Sequence, residues 1–271
     1  MKKITIALLA LLLLTSTLFG AGSKEQGPGV DNSLQKILAK GKLIVGLDDS
    51  FPPMGFRDEN NEIVGFDIDL ARGVAKGMGV ELVLQTIDWN AKEQELNTGN
   101  IDCIWNGFTI TEDRLNAMTF TPPYVNNAQV VVVKGSSPYT SLASLAKKNI
   151  GLQAGSSAAE ALDNSPAFKA SVKNVVEFKE NLTGLMDLEI GGIDGLIIDL
   201  LVANDNINRS GKDFRILDEH LTNESYGVGF RKGEQKLADE VWAQMLALKA
   251  DGSLAKIATK WFGADITVVG K

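Results

Sequence analysis

At 271 residues, 44% of them hydrophobic, the chain can bury the core of one large domain or two small ones. A net charge of −7, with no cluster of Lys and Arg, excludes the basic footprint that nucleic-acid binding requires. The single cysteine, Cys103, excludes an internal disulfide, and with the single histidine, His220, it cannot by itself build a zinc site.

Lys2 and Lys3, the apolar stretch 4–14 and the small residues after it read as a secretion signal over 1–21. The apolar run is short for a membrane span. Leu18-Phe19-Gly20-Ala21 resembles a lipoprotein signal box with Ala21 in place of the lipidated cysteine, so no acylation is expected there. Residues 22–32, with Gly27-Pro28-Gly29, predict a flexible leader.

A short helix over 34–38 stops at Gly41, and a strand over 43–47 ends in the loop 48–56, which Pro52 and Pro53 stiffen. Asp48 there offers an acceptor and Phe51 a flat apolar wall. An amphipathic helix over 67–75 can be capped by Asp67. No third ligand or EF-hand spacing follows Asp67-Ile68-Asp69, so it reads as helix-start chemistry and no metal site is expected. A strand over 80–87 places Trp89 just past its end as a pocket wall, and a short helix over 91–96 follows.

The chain is organised around 101–114. An apolar strand passes through the turn Asn106-Gly107 into Thr111-Glu112-Asp113, a hydroxyl cap with acids in the first helical turn. Arg114 therefore falls just beyond a strand end, the edge where open α/β sheets hold ligands. A guanidinium beside the free N–H of Gly107 and the hydroxyl of Thr109 suits a carboxylate. Asn106 and Phe108, on the same turn, are counted with the site.

Phe120-Thr121-Pro122-Pro123-Tyr124 interrupts the helix, and a second series of strand–helix units runs from 130 to about 217. Within it, 151–160 repeats the strand, turn and helix order. Ser157 with Glu160 fits a capping box, Ser156 and Ser157 bring hydroxyls to a helix start that can hold an anion, and Gln153 can reach a ligand side chain. The strand over 194–198 ends on Asp199, which suits an ammonium. Donors for a carboxylate and an acceptor for an ammonium, all at strand ends, describe a receptor for a free α-amino acid. The alternation implies largely parallel sheet covered on both faces. A strand over 226–230 precedes a helix over 234–250 with Leu237, Val241, Met245 and Leu248 on one core-facing side.

Six motifs in order resemble the polar-amino-acid solute-binding proteins of ABC importers, the family 3 extracytoplasmic receptors. They are Gly-Phe-Asp-Ile-Asp-Leu at 65–70, Ile-Thr-Glu-Asp-Arg at 110–114, Phe-Thr-Pro-Pro-Tyr at 120–124, Gln-Ala-Gly-Ser-Ser at 153–157, Tyr-Gly-Val-Gly-Phe at 226–230 and Lys-Trp-Phe-Gly at 260–263. The resemblance implies a two-lobed periplasmic-binding-protein-like α/β fold of type II, its discontinuous lobes joined by a two-strand hinge. Lobe 1 would comprise 33–125 and 225–271, and lobe 2 126–224. It further implies a periplasmic or extracytoplasmic protein without a cofactor, working with a membrane permease. Phe51, Trp89, Asp48 and Gln153 would then meet the ligand side chain, as for arginine, lysine, ornithine, histidine or glutamine.

The enzyme alternative is a dehydratase on a cyclohexadienyl amino acid or keto acid with the same fold, drawing its acid from Asp48, Asp49 or Glu160. Serine hydrolysis and nucleotide chemistry find no G-x-S-x-G, P-loop or complete dinucleotide fingerprint.

Overall fold

The computed structural model describes residues 30–271, of which 31–271 form one compact unit. The secretion signal, the lipoprotein-like box and most of the leader lie outside the described residues. Helix α1 (Ser33–Lys40) turns into β1 (Lys42–Leu47) at Gly41, whose φ of 70° returns its N–H to the carbonyls of Ile37 and Leu38. A small antiparallel sheet of β2 (Ser50–Phe51), β3 (Gly55–Arg57) and β4 (Ile63–Val64) follows. Then come α2 (Phe66–Met78), β5 (Glu81–Thr86), a 3-10 turn at Trp89–Ala91, α3 (Lys92–Thr98), β6 (Cys103–Ile104), α4 (Glu112–Ala117) and β7 (Met118–Phe120).

Strand β8 (Val125–Lys134) carries the chain into a second sheet. That sheet is completed by β9 (Asn149–Gln153), α5 (Ser157–Asp163), α6 (Pro166–Ser171), β10 (Asn174–Phe178), α7 (Asn181–Ile190), β11 (Gly195–Asp199), α8 (Leu200–Ser210) and β12 (Phe214–Tyr226). The chain then returns to the first sheet through β13 (Gly229–Arg231), α9 (Gln235–Ala250) and α10 (Ser253–Phe262).

The two five-stranded sheets have the orders β5-β1-β6-β13-β7 and β10-β9-β11-β8-β12. Both are mixed, which corrects the expectation of largely parallel sheet. β5, β1 and β6 run parallel, as do β10, β9 and β11, while β13 and β8 run against their neighbours. Each reversed strand is the first that the chain lays down after changing sheets. The helical crossovers of the other units hold their strands parallel. The strand expected over 226–230 is likewise two pieces. Gly227 donates its N–H to the Phe108 carbonyl and Val228 donates to Thr121 Oγ1, which ends one ladder before the next begins.

Alternation along β8 shows how the second sheet is covered. Val130 and Val132 pack with Leu188 and Leu196, while Val131 and Val133 pack with Ile150, Leu152 and Leu162. A strand buried on both faces needs the unbroken valine run that the sequence carries. β8 and β12 pair from Val125↔Tyr226 inward, with Asn127 opposite Glu224, and these two strands are the crossings between sheets.

Candidate functional site

Strand ends of both sheets converge on one small, largely buried cavity. From the first sheet come Asp48 and Phe51 after β1, Trp89 after β5, then Asn106, Gly107, Thr109 and Arg114 after β6. The second contributes Gln153, Ser156 and Ser157 after β9 and Asp199 at the end of β11. Eleven of the twelve residues expected at the site thus border the same space. Phe108 does not. It is fully buried behind the cavity, edge-on to Trp89 at 5.7 Å and stacked on Phe120 at 5.2 Å, and its ring carries the Arg114 guanidinium at 4.4 Å. A wider crevice of about 1340 Å³ between Phe56, Arg209 and Trp261 is largely open to solvent and lacks such convergent buried polar groups.

Arg114 is placed by Thr111, whose hydroxyl oxygen accepts the Arg114 backbone N–H at 3.4 Å and caps α4. Its side chain is 8% exposed and donates to the carbonyls of Thr109 at 2.8 Å and Gly155 at 3.4 Å. A guanidinium has five N–H groups, so these two bonds leave it able to grip a further acceptor. Burial lowers its proton affinity, and Glu224 is the strongest charge opposing that effect.

The Gly107 N–H, expected to be free, is taken: it donates to Asp67 Oδ2 at 2.6 Å. Asp67 does not cap α2, whose cap is Gly65. It lies fully buried and also accepts from the Tyr124 hydroxyl at 3.0 Å. Burial raises its pKa to about 7 against the lowering pull of these donors. Gly107 itself is required, since φ is +56° and a Cβ would stand 2.8 Å from the Phe51 ring and 3.3 Å from Tyr226.

The helix start after β9 is also shifted by one residue. Ser156 caps α5 through the Ala158 N–H at 3.3 Å, and no capping box forms between Ser157 and Glu160. Ser157 is thereby released into the cavity, where its hydroxyl meets that of Thr109 at 3.0 Å. Thr109 in turn donates to Glu224 Oε1 at 3.0 Å, and Gln129 donates to Ser157 at 3.2 Å. A carboxylate only accepts, so the Thr109 proton points at Glu224 and the Ser157 proton at Thr109. Neither hydroxyl keeps a proton for a ligand carboxylate in this arrangement. That leaves the guanidinium and the unshared N–H groups of the α5 start.

Asp199, 5% exposed, accepts at Oδ1 from Asn127 Nδ2 at 2.7 Å and from the Tyr226 hydroxyl at 2.6 Å. Burial, and then the nearby Glu224 charge, push its carboxyl well above the usual range. At the opposite pole Asp48 Oδ1 accepts from the N–H and hydroxyl of Ser50 at 2.9 and 2.7 Å, and Oδ2 from Gln153 Nε2 at 2.8 Å. Gln153 also donates to the Lys179 carbonyl at 3.0 Å and accepts from Asn181 at 3.0 Å. Both amide protons of Gln153 are therefore spent, and what Asp48 and Gln153 still offer is acceptor capacity.

Sequence reasoning missed Glu224, Asn127, Gln129 and Tyr226 on the crossing strands, and Lys92. Lys92 is buried, donates to the Gly155 carbonyl at 2.7 Å, and has its pKa lowered to about 8 by burial and then by Arg114. The only available signal for the crossing-strand group was its position where the chain changes sheets. Among the described residues no group of three or more His, Cys, Asp or Glu can hold a metal ion.

Residues 43–264 match the bacterial extracellular solute-binding proteins, family 3. The chain is 28% identical to the L-cystine-binding protein TcyJ of Escherichia coli (strain K12), over 98% of this chain and 100% of that protein. It is 30% identical to the ABC transporter arginine-binding protein 1 of the same strain, over 97% and 99% of the two chains. An ABC uptake transporter substrate-binding protein from Streptococcus pneumoniae, solved with bound histidine, superposes with a TM-score of 0.85 at 35% identity, covering 88% of this chain and 99% of that one.

Proposed function

The chain belongs to the bacterial extracellular solute-binding proteins of family 3, and from that premise we propose that its cavity holds a free L-amino acid whose side chain donates hydrogen bonds, arginine first. The two-lobed α/β fold is that of the amino-acid-binding proteins of ABC importers. One observation carries the assignment: Arg114 and Asp199, a buried cation and a buried acid from different sheets, border one small cavity. In this reading Arg114 and the α5 start receive the α-carboxylate and Asp199 the α-ammonium. Phe51 and Trp89 flank the stem. Asp48 and Gln153, left with acceptors only, receive a guanidinium, ammonium, imidazole or amide. Arginine suits a pole that carries the Asp48 charge, and among the relatives one is named for arginine and a solved neighbour holds histidine.

We place lobe 1 at 33–125 with 225–271 and lobe 2 at 126–224, in keeping with the membership of the two sheets. Closure about β8 and β12 would then present both lobes to a membrane permease, with the protein working outside the cytoplasm. The dehydratase alternative needs a proton donor in the cavity. Of the acids named for that role, Asp48 uses both oxygens as acceptors, Asp49 pairs with Arg57, and Glu160 lies outside the cavity lining.

A thermal-shift panel of the twenty amino acids tests the reading. A ligand at a hundred times its Kd should add about 2.7 kcal/mol of stability. Arginine is expected to give the largest shift, and a flat panel would overturn the proposal.

A further inference from the structure

We infer that Glu224 and Asp199 together form a two-carboxylate ammonium site that carries one proton when empty, and that an incoming α-ammonium displaces this proton to solvent. The inference rests on the amino-acid receptor reading above.

The geometry places the two acids on one donor. Asn127 Nδ2 donates to Asp199 Oδ1 at 2.7 Å and to Glu224 Oε1 at 2.6 Å, so both oxygens lie within reach of a single nitrogen. Glu224 Oε1 also accepts from Thr109 Oγ1 at 3.0 Å and Gln129 Nε2 at 3.0 Å. Strand β8 thus offers the pair only neutral amides. Strand β12 adds the Tyr226 hydroxyl, which donates to Asp199 at 2.6 Å. From α4 comes Arg114, the only cation in the cavity lining, whose own bonds go to the carbonyls of Thr109 and Gly155. Beyond Arg114 stand Lys92, Glu93 and Glu160.

Two neighbouring carboxylates facing one guanidinium, with Asp199 and Arg114 both more than nine-tenths buried, leave an uncompensated negative charge. A proton on one of the acids removes it. Three donors converge on Glu224, so the proton rests on Asp199. The upward shift of Asp199 by burial and then by Glu224 agrees with this. An α-ammonium keeps its own three protons and sets a positive charge directly against the two acids, while the α-carboxylate that enters with it pairs with Arg114. The bond that breaks is the carboxyl O–H of Asp199, and its proton passes to the buffer. At the acid pair, binding is then an exchange of a proton for an ammonium, and Glu224 is the residue that makes it so.

Isothermal titration with L-arginine at pH 7, in buffers of different ionisation enthalpy, tests this on the whole protein. The L-arginine side chain does not titrate near neutrality. About one proton should leave per ligand bound, and Glu224→Gln should cut that release, counted per L-arginine bound, by more than half whatever its affinity. Heat that does not depend on the buffer in the unaltered protein would overturn the inference and leave the receptor reading intact. So would proton release undiminished in Glu224→Gln. If L-arginine gives no heat, L-glutamine serves as the probe, since its side chain does not titrate either. No heat from any of the twenty amino acids would overturn the receptor reading and this inference with it.

Discussion

Replacing Arg114 by alanine probes the carboxylate pole most directly. The guanidinium rests 4.4 Å above Phe108 and spends two N–H groups on carbonyls, so its remaining donors are what a ligand carboxylate would meet. Without it the carboxylate would enter a site with no cation in its lining among the described residues and with the Glu224 carboxylate close by. Leaving a buried charge unpaired costs about 3–5 kcal/mol, which raises Kd by between about two and four orders of magnitude. Arg114→Lys keeps the charge but loses the two-pronged grip, and should fall between the alanine variant and the unaltered protein. The assay is isothermal titration with the amino acid that gives the largest thermal shift. The melting temperature of each empty variant is measured alongside, because alanine also removes the stacking on Phe108 and the bond to Gly155. A variant that folds and binds within about tenfold of the unaltered protein would refute the assignment.

Two further outcomes are expected. Asp48→Asn should weaken L-arginine by about 1.5–3 kcal/mol, the usual worth of a hydrogen bond to a charged group, while leaving L-glutamine nearly unchanged; competition titration distinguishes the two. The buried carboxyl of Asp67 has a folded-state pKa of about 7 against an ordinary 3.8, so the folded chain holds its proton more tightly than the unfolded one. Its contribution to stability is therefore complete below about pH 4 and is lost as pH rises through 7, by about 4 kcal/mol in all. Asp67→Asn should flatten denaturant midpoints across that window, and an unchanged slope would count against the buried acid as its source.

Much of the site was legible because its residues sit at strand ends, where local patterns are strong. The apolar run into Asn106-Gly107, the hydroxyl of Thr111 and the terminal acid of the strand at Asp199 each declare a position without knowledge of the rest of the fold. What escaped depends on pairing over long separations. Asp67 reaches Gly107 forty residues later, and no local pattern distinguishes that role from helix capping. Glu224 finds Thr109 and Asn127 only after the chain has crossed twice. Ser156 and Ser157 are equally good caps by chemistry, and the turn at Gly155, with φ of +70°, decides between them. Phe108 was counted with the pocket because its neighbours are, although an adjacent side chain on an extended segment points the opposite way. The direction of β8 and β13 was hidden for a related reason: strand composition does not record which way the strand runs.

The paired crossings also have a practical use. Because β8 and β12 lie zipped side by side, the two halves should swing like a door on a long hinge, and small changes near the axis become large excursions at the rim. Exposed Leu115 on α4 and Met186 on α7, one beside each sheet, offer attachment points for a pair of dyes. Such a pair would turn occupancy of the cavity into an optical signal, making the hinge the working part of a sensor.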